Sequence, residues 1–432
     1  MCYFWGMVKV VKIFLLVMIF SNCGKKTSSF PEVSINSPTS GAVYRQSEFI
    51  PVRARISHEN LRRYQVSIVS TQGLGQFLTR EGTATGPDFQ LAIDIELDHQ
   101  NMPGGNYRVR VTAYTDDDQA SAEQPITFIR APLQNEGLAV IFDQGATYDV
   151  GFFPFDGPAK LITQQLGQKV KGAIVQEPGV LITAPEEFGA AQVFDVKTGD
   201  LLYTIPRQGP SNFPYFTSIS GYTNRYVVAN YLGFVEVREA NGNVVHNLEL
   251  DNNLIAEFAI RGNDFYFMQI ENILDKRREW VLYNRLGTRF GERLTADTAI
   301  MAFSVQFDDW WVLYNGVNGA GFDRWRAGTG ARTPINATLF GRALDAVQIT
   351  PTRYLIATTQ GVYDLQTQQS GVIPRGELGN AKKIAFDALQ NRIAVLDENE
   401  IREYRLSNFQ LIRTLSLPSG GVFVGYTYKR ED

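Results

Sequence analysis

Three histidines, two cysteines and a few adjacent carboxylates are the residues of this 432-residue chain with types suited to chemistry. His58 and His99 fall in an N-terminal segment and His246 lies far downstream. Nothing in that spacing brings two of them together for a Ser–His–Asp relay or an imidazole-rich metal site. Cys2 and Cys23 are the only cysteines, which leaves no sulfur set for a metal. No phosphate-cradling glycine loop, G-x-S-x-G elbow or H-E-x-x-H pair occurs, and no cofactor is expected. Carboxylates alone would serve a glycosidase, which needs two of them about 5–9.5 Å apart. Glu186 and Glu187 sit in a longer loop, residues 184–190, and are the best such candidates. Asp308-Asp309 and Asp397-Glu398 read as polar turns between strands. Trp280, Trp310, Trp311 and Trp325 could stack on sugars, but each falls in or beside a strand, where core packing is the expected role.

The elements that must position these residues repeat. Gly157, Gly199, Gly242, Gly287 and Gly328 recur at spacings of 41–45 residues, each in a short polar turn between strand-like runs. A strand-rich unit of that period is a β-propeller blade of four short strands. Second strands are near-continuous apolar runs, such as 226–229, 265–268 and 354–357. Such runs suit burial on both faces. Third strands alternate, as in Phe234-Val-Glu-Val and Ile401-Arg-Glu-Tyr. Six whole units fit between Val170 and Pro418. Three strand candidates in 137–166 and one in 421–428 remain, and joining them makes a seventh. The expected fold is therefore all-β, with a seven-bladed propeller closed by the C-terminal strand.

The phrase Val193-Phe-Asp195-Val-Lys-Thr-Gly199-Asp-Leu-Leu202 resembles the strand–turn–strand of WD40-like and quinoprotein-like propellers. The resemblance implies architecture and carries no activity with it. WD40 Gly-His and Trp-Asp dipeptides are absent, and so are the calcium-binding acids and adjacent cysteines of the quinoproteins.

Ahead of the repeat, Lys9 and Lys12 precede an apolar core, Ile13–Phe20, too short for the ~20 residues of a membrane span. It ends Ser21-Asn22-Cys23-Gly24, which resembles a bacterial lipobox and implies a lipidated Cys23. Residues 1–22 are then a signal peptide and 23–30 a tether. Cleavage after residue 22 would take the formal charge from −4 to −6, against any nucleic-acid role. Residues 31–130 carry about seven strand signals, and Ser37-Pro-Thr-Ser-Gly41 and Gly105-Asn-Tyr-Arg-Val-Arg-Val-Thr-Ala113 resemble bacterial Ig-like modules. Tyr107 would be a packing tyrosine there. Residues 131–136 read as linker and 137–432 as propeller.

In a propeller, loops from second to third strands and from each unit to the next gather at one mouth. Those loops give Glu186, Glu187, Phe188, Asn212, Phe213, Tyr215, Asn230, Tyr231, Arg277, Arg278, Asn315 and Asp397 as candidate binding residues. The longest insert, residues 271–279, is the prime partner contact, because added loop length lacks a packing purpose. The expectation is a lipid-anchored, non-enzymatic binding or scaffolding protein of the bacterial outer membrane, with a protein or glycan partner. The alternatives are an outer-membrane assembly factor of the propeller-lipoprotein type and a carbohydrate-active hydrolase or lyase.

Overall fold

The computed structural model describes residues 30–430 except 46–47, 72–75, 85, 97–103, 167–168, 187, 209–213, 223–224, 252, 263–264, 285–286, 307, 336–337 and 369–370. Cys23, the leader before it, His99, Glu187, Asn212 and Phe213 thus lie outside the described residues. The chain divides into two compact units, residues 1–131 and 132–432.

The first unit has a three-stranded sheet ordered Glu32–Ser37, Phe49–Ser57, Asp88–Glu96. Its second sheet runs Ala42–Arg45, Gln119–Ile129, Gly105–Tyr114, Arg63–Ser70, Gln76–Thr83. Ala42–Arg45 pairs in parallel with its neighbour, and the other pairings are antiparallel. Strict alternation places Ile50, Val52 and Ile56 of one sheet and Val66, Val109 and Val111 of the other in a shared core. Tyr107 is buried there, edge-on to Phe128 at 6.4 Å, and burial pushes its hydroxyl up to about 12.

The second unit contains seven four-stranded antiparallel sheets among the described residues, a β-propeller arrangement. Sheets A to F span residues 170–205, 216–249, 254–295, 298–334, 343–374 and 383–416, with strands in chain order. Sheet G joins Lys160–Leu166, Tyr148–Pro154 and Leu133–Asp143 to the last strand, Gly421–Arg430. Each sheet's innermost strand adjoins that of the next, and G adjoins A.

Residues expected as linker belong to sheet G. Leu133–Asp143 begins four residues after Ile129 and pairs Leu133 with Arg430 and Gln134 with Lys429. Their polar side chains read as loop, yet an inner strand of a ring is secured by its backbone ladder whatever its side chains.

No single core holds this unit. Each neighbouring pair of sheets encloses its own apolar cluster, from Val175, Val193 and Tyr226 between A and B to Ala139, Ile141 and Leu181 between G and A. Second strands face two such clusters, so Val180–Pro185 is buried at every residue. Outermost strands face water, as Leu201–Ile205 does over most of its length. The turn after the third strand explains the glycine repeat. Asp195 Oδ1 accepts the Lys197 and Thr198 amides at 2.8 and 2.9 Å, and Gly199 follows at φ 83°. The fifth marker shifts: Gly328 sits in a 3-10 turn, Ala327–Thr329, and the left-handed residue is Gly330 at φ 65°.

Polar side chains tie every sheet to the next. Lys171 Nζ donates to the Thr217 carbonyl at 2.7 Å (A to B), and Ser220 Oγ donates to that of Ala259 at 2.8 Å (B to C). Gln269 accepts the Ala299 amide at 2.6 Å (C to D), and Asn315 clamps both backbone groups of Ala343 at 2.7 and 3.0 Å (D to E). Asp345 accepts the Ile384 amide at 3.0 Å (E to F). The last two joints are mostly charged. Glu403 on F binds Arg413 and the Tyr426 hydroxyl of G, and Glu177 on A binds Arg430 of G. Burial and the Glu403 charge push the Tyr426 hydroxyl up, so it stays a donor.

Candidate functional site

Two features open where the innermost strands meet. The first is a central channel of about 920 Å³, lined by all seven innermost strands. Five of those strands carry a β-bulge near the same end, after Phe216, Ala256, Ala299, Ala343 and Gly421. A bulge re-aims the extra residue. Thr217, Glu257, Ile300 and Val422 line the channel, and Leu344 lines a rim cavity. Below the bulges comes an apolar collar with one partly exposed side chain from each innermost strand: Ile174, Ile219, Phe258, Met301, Val347, Phe386 and Phe423.

Charges at the channel mouth are paired. Lys171 meets Glu186 at 3.5 Å and Lys383 meets Asp345 at 3.5 Å. Arg278 bridges Glu257 at 2.8 Å and Glu271 at 3.1 Å, and Lys276 also donates to Glu271 at 2.9 Å. Burial opposes ionisation of Glu271, but these cations bring its carboxyl below the ordinary range. Asp397 accepts Arg402 at 3.1 Å and, with Glu398 and Glu400, lines the rim cavity of about 560 Å³ between E and F. Glu186, the best candidate acid in the sequence, and Asp397 are thus each held by a different cation. Among the described residues no group of three or more His, Cys, Asp or Glu side chains could hold a metal ion.

The second feature is the rim itself. Phe188 keeps its expected place, 60% exposed beyond Val180–Pro185. Tyr215 does not: it is buried against Phe216, and its hydroxyl accepts from Asn230 at 3.2 Å. Tyr231 is half-buried. Asn315 is engaged in the D-to-E clamp. The 271–279 insert is the end of a hairpin, because Phe265–Asn272 and Arg278–Asn284 extend into it and their polar residues pair across it. Only residues 273–277 turn, with Asn272 Oδ1 accepting the Leu274 amide at 2.9 Å and Lys276 at φ 60°. Arg277 is exposed there and Arg278 belongs to the strand. Trp280, Trp310 and Trp325 are fully buried around Phe267 between C and D. Trp311 stacks on Phe322 at 5.4 Å. Asp309 is fully buried against Arg324 and Asp308 caps the Gly328 amide at 3.1 Å, so that pair is architectural.

Sequence reasoning passed over the apolar residues on this rim. Leu232, Leu274, Val317 and Phe340 are 44, 75, 96 and 58% exposed. With Phe188 they occupy loop tips on sheets A, B, C and D and the D-to-E crossing, all at one end of the barrel. The corresponding loops of E, F and G are polar: Thr359-Gln360, Asp397-Glu-Asn-Glu400 and Gln144-Gly-Ala-Thr147. A legible signal did exist, a large apolar residue set among turn formers, as in Asn315-Gly-Val317-Asn-Gly319.

No protein-family model matches the chain, and no curated protein matches it. Solved structures do. A quinoprotein alcohol dehydrogenase-like protein from Bacteroides thetaiotaomicron is 12% identical at TM-score 0.45, covering 91% of this chain and 98% of that one. Apo AztD from Citrobacter koseri is 12% identical at TM-score 0.41, covering 85% and 98%. The Swd1 β-propeller domain of Myceliophteria thermophila is 11% identical at TM-score 0.42, covering 58% and 87%. At that level these likenesses add nothing to the sheet geometry.

Proposed function

We propose that the chain is a seven-bladed propeller carried behind an Ig-like module, held at a bacterial envelope membrane through Cys23, and that it binds a protein partner through its rim. The sheet series A to G, with G adjoining A, supports the blade count. The first unit's sheet orders match an Ig-type arrangement, three strands facing five with one parallel edge pairing. The observation that carries the binding reading is the arc of five exposed apolar tips. Large apolar side chains gathered on one face of a soluble unit mark an interaction site. A few such anchors dominate a typical interface.

A photoreactive residue placed at Val317 is expected to give a discrete protein adduct in cells. The same residue at Leu202, exposed on the outermost strand of A, should give none. Adding Leu274→Asp and Phe340→Asp should cut the Val317 adduct about tenfold, the effect of ~1.4 kcal/mol. Equal adducts at both positions, or none at Val317, would discard the rim reading. Fatty-acid label that persists in Cys23→Ser would discard the anchor.

A further inference from the structure

We propose that the central channel is a binding site for a single hydrocarbon chain with an uncharged polar end, independent of the rim. Its volume of about 920 Å³ falls within the range of about 300–1,000 Å³ typical of small-molecule sites. Its shape follows from the strands that wall it. Phe216–Tyr222 has seven residues, which at about 3.3 Å each runs ~23 Å, so the space is long rather than round.

The lining sets the ligand's character. A channel merely filled with water has no need of an apolar wall, and leaving such a wall in contact with water is unfavourable. Here every innermost strand contributes an apolar side chain to one collar, from Ile174 and Ile219 round to Phe386 and Phe423. Several polar groups of the same strands are engaged in architecture. Ser218 accepts the Ala259 amide at 3.0 Å, Ser220 donates to the Ala259 carbonyl, and Asp345 holds the Ile384 amide. A hydrocarbon chain is the occupant that such a wall favours.

The mouth sets the ligand's end group. Lys171, Lys383 and Arg278 each face a carboxylate, namely Glu186, Asp345 and Glu257. An ionic head would enter beside charges already matched and would lose hydration without a counter-ion. A hydroxyl or ester carries no charge that must be matched there and needs only a hydrogen bond.

The test uses full-length Cys23→Ser protein, in which no attached acyl group can occupy the channel. Nile red should bind saturably at one per chain, and hexadecanol should displace it. Hexadecanoate and hexadecylamine should compete at least about tenfold more weakly, the effect of ~1.4 kcal/mol. Val347→Trp, which fills the collar, and Ile219→Asn, which wets it, should each weaken binding about tenfold or more, while Val317→Asp on the rim leaves it unchanged. A diazirine-bearing fatty alcohol should label the innermost strands of the unsubstituted chain, a readout that does not depend on variants folding. Absence of saturable binding, labelling away from those strands, or loss of binding in Val317→Asp alone would overturn the channel site. Preference for the acid or the amine would overturn the uncharged end. None of these outcomes bears on the rim adduct at Val317, so the two readings fail separately.

Discussion

Arg413→Ala is expected to lower the unfolding free energy by about 3–5 kcal/mol, the cost of leaving one member of a buried ion pair unmatched. Glu403 is fully buried on the third strand of sheet F, with Arg413 on one oxygen and the Tyr426 hydroxyl at 2.9 Å on the other. Tyr426 belongs to the C-terminal strand that completes sheet G, so the pair sits at the seam where the chain's last strand meets the preceding sheet. Phe155 packs against the same place, stacked on Tyr426 at 6.4 Å with the Arg413 guanidinium 4.8 Å from its ring. Removing the guanidinium strands a carboxylate that water cannot reach. Glu403→Gln combined with Arg413→Met should recover much of the loss, because no charge is then left buried. Denaturant unfolding of the three proteins decides the matter. A loss below about 1 kcal/mol for Arg413→Ala would mean that the seam relaxes and admits water.

Gly221→Ala is expected to cost about 3 kcal/mol or to prevent folding, at the upper end of overpacking penalties. A methyl group built there would lie 1.9 Å from the Ile174 carbonyl oxygen and 2.7 Å from its carbon. Both atoms are backbone of the neighbouring innermost strand, so no rotamer change can make room. The reason is geometric: innermost strands of adjoining sheets converge at the channel, and here they touch main chain to main chain. Gly376→Ala is the control, with nothing within 4 Å of the added carbon. It should stay within about 0.5 kcal/mol of the parent. Comparable losses in both variants would refute the close-approach argument.

Much of the sheet framework was legible because each strand type has its own burial. Tyr226 to Ala229 and Leu355 to Ala357 are buried throughout, as their unbroken apolar runs imply. The stray strands at the two ends of the propeller segment do share one sheet. Legibility failed where polar residues serve architecture. Glu271 and Arg278 look like loop until they are seen facing each other across a hairpin. Asn315 and Asn230 look like ligand-binding amides until their backbone partners appear. Tyr215 was misplaced for a related reason: an aromatic residue beside a proline-rich crossing can turn inward, and here Phe216 and Asn230 receive it.

The chemistry-bearing residues divide in the same way. Sequence alone determined that this chain is built of repeated four-strand units with few histidines and cysteines, because composition and strand periodicity are local properties. Only the tertiary structure decided what its carboxylates and apolar turn residues do. A carboxylate's role depends on which cation lies beside it, and Glu186, Glu257 and Asp345 meet theirs across strands and sheets. The collar in the channel depends on the convergence of seven strands spread between Val170 and Arg430. Such a surface forms only when the ring does, and no window of sequence contains it.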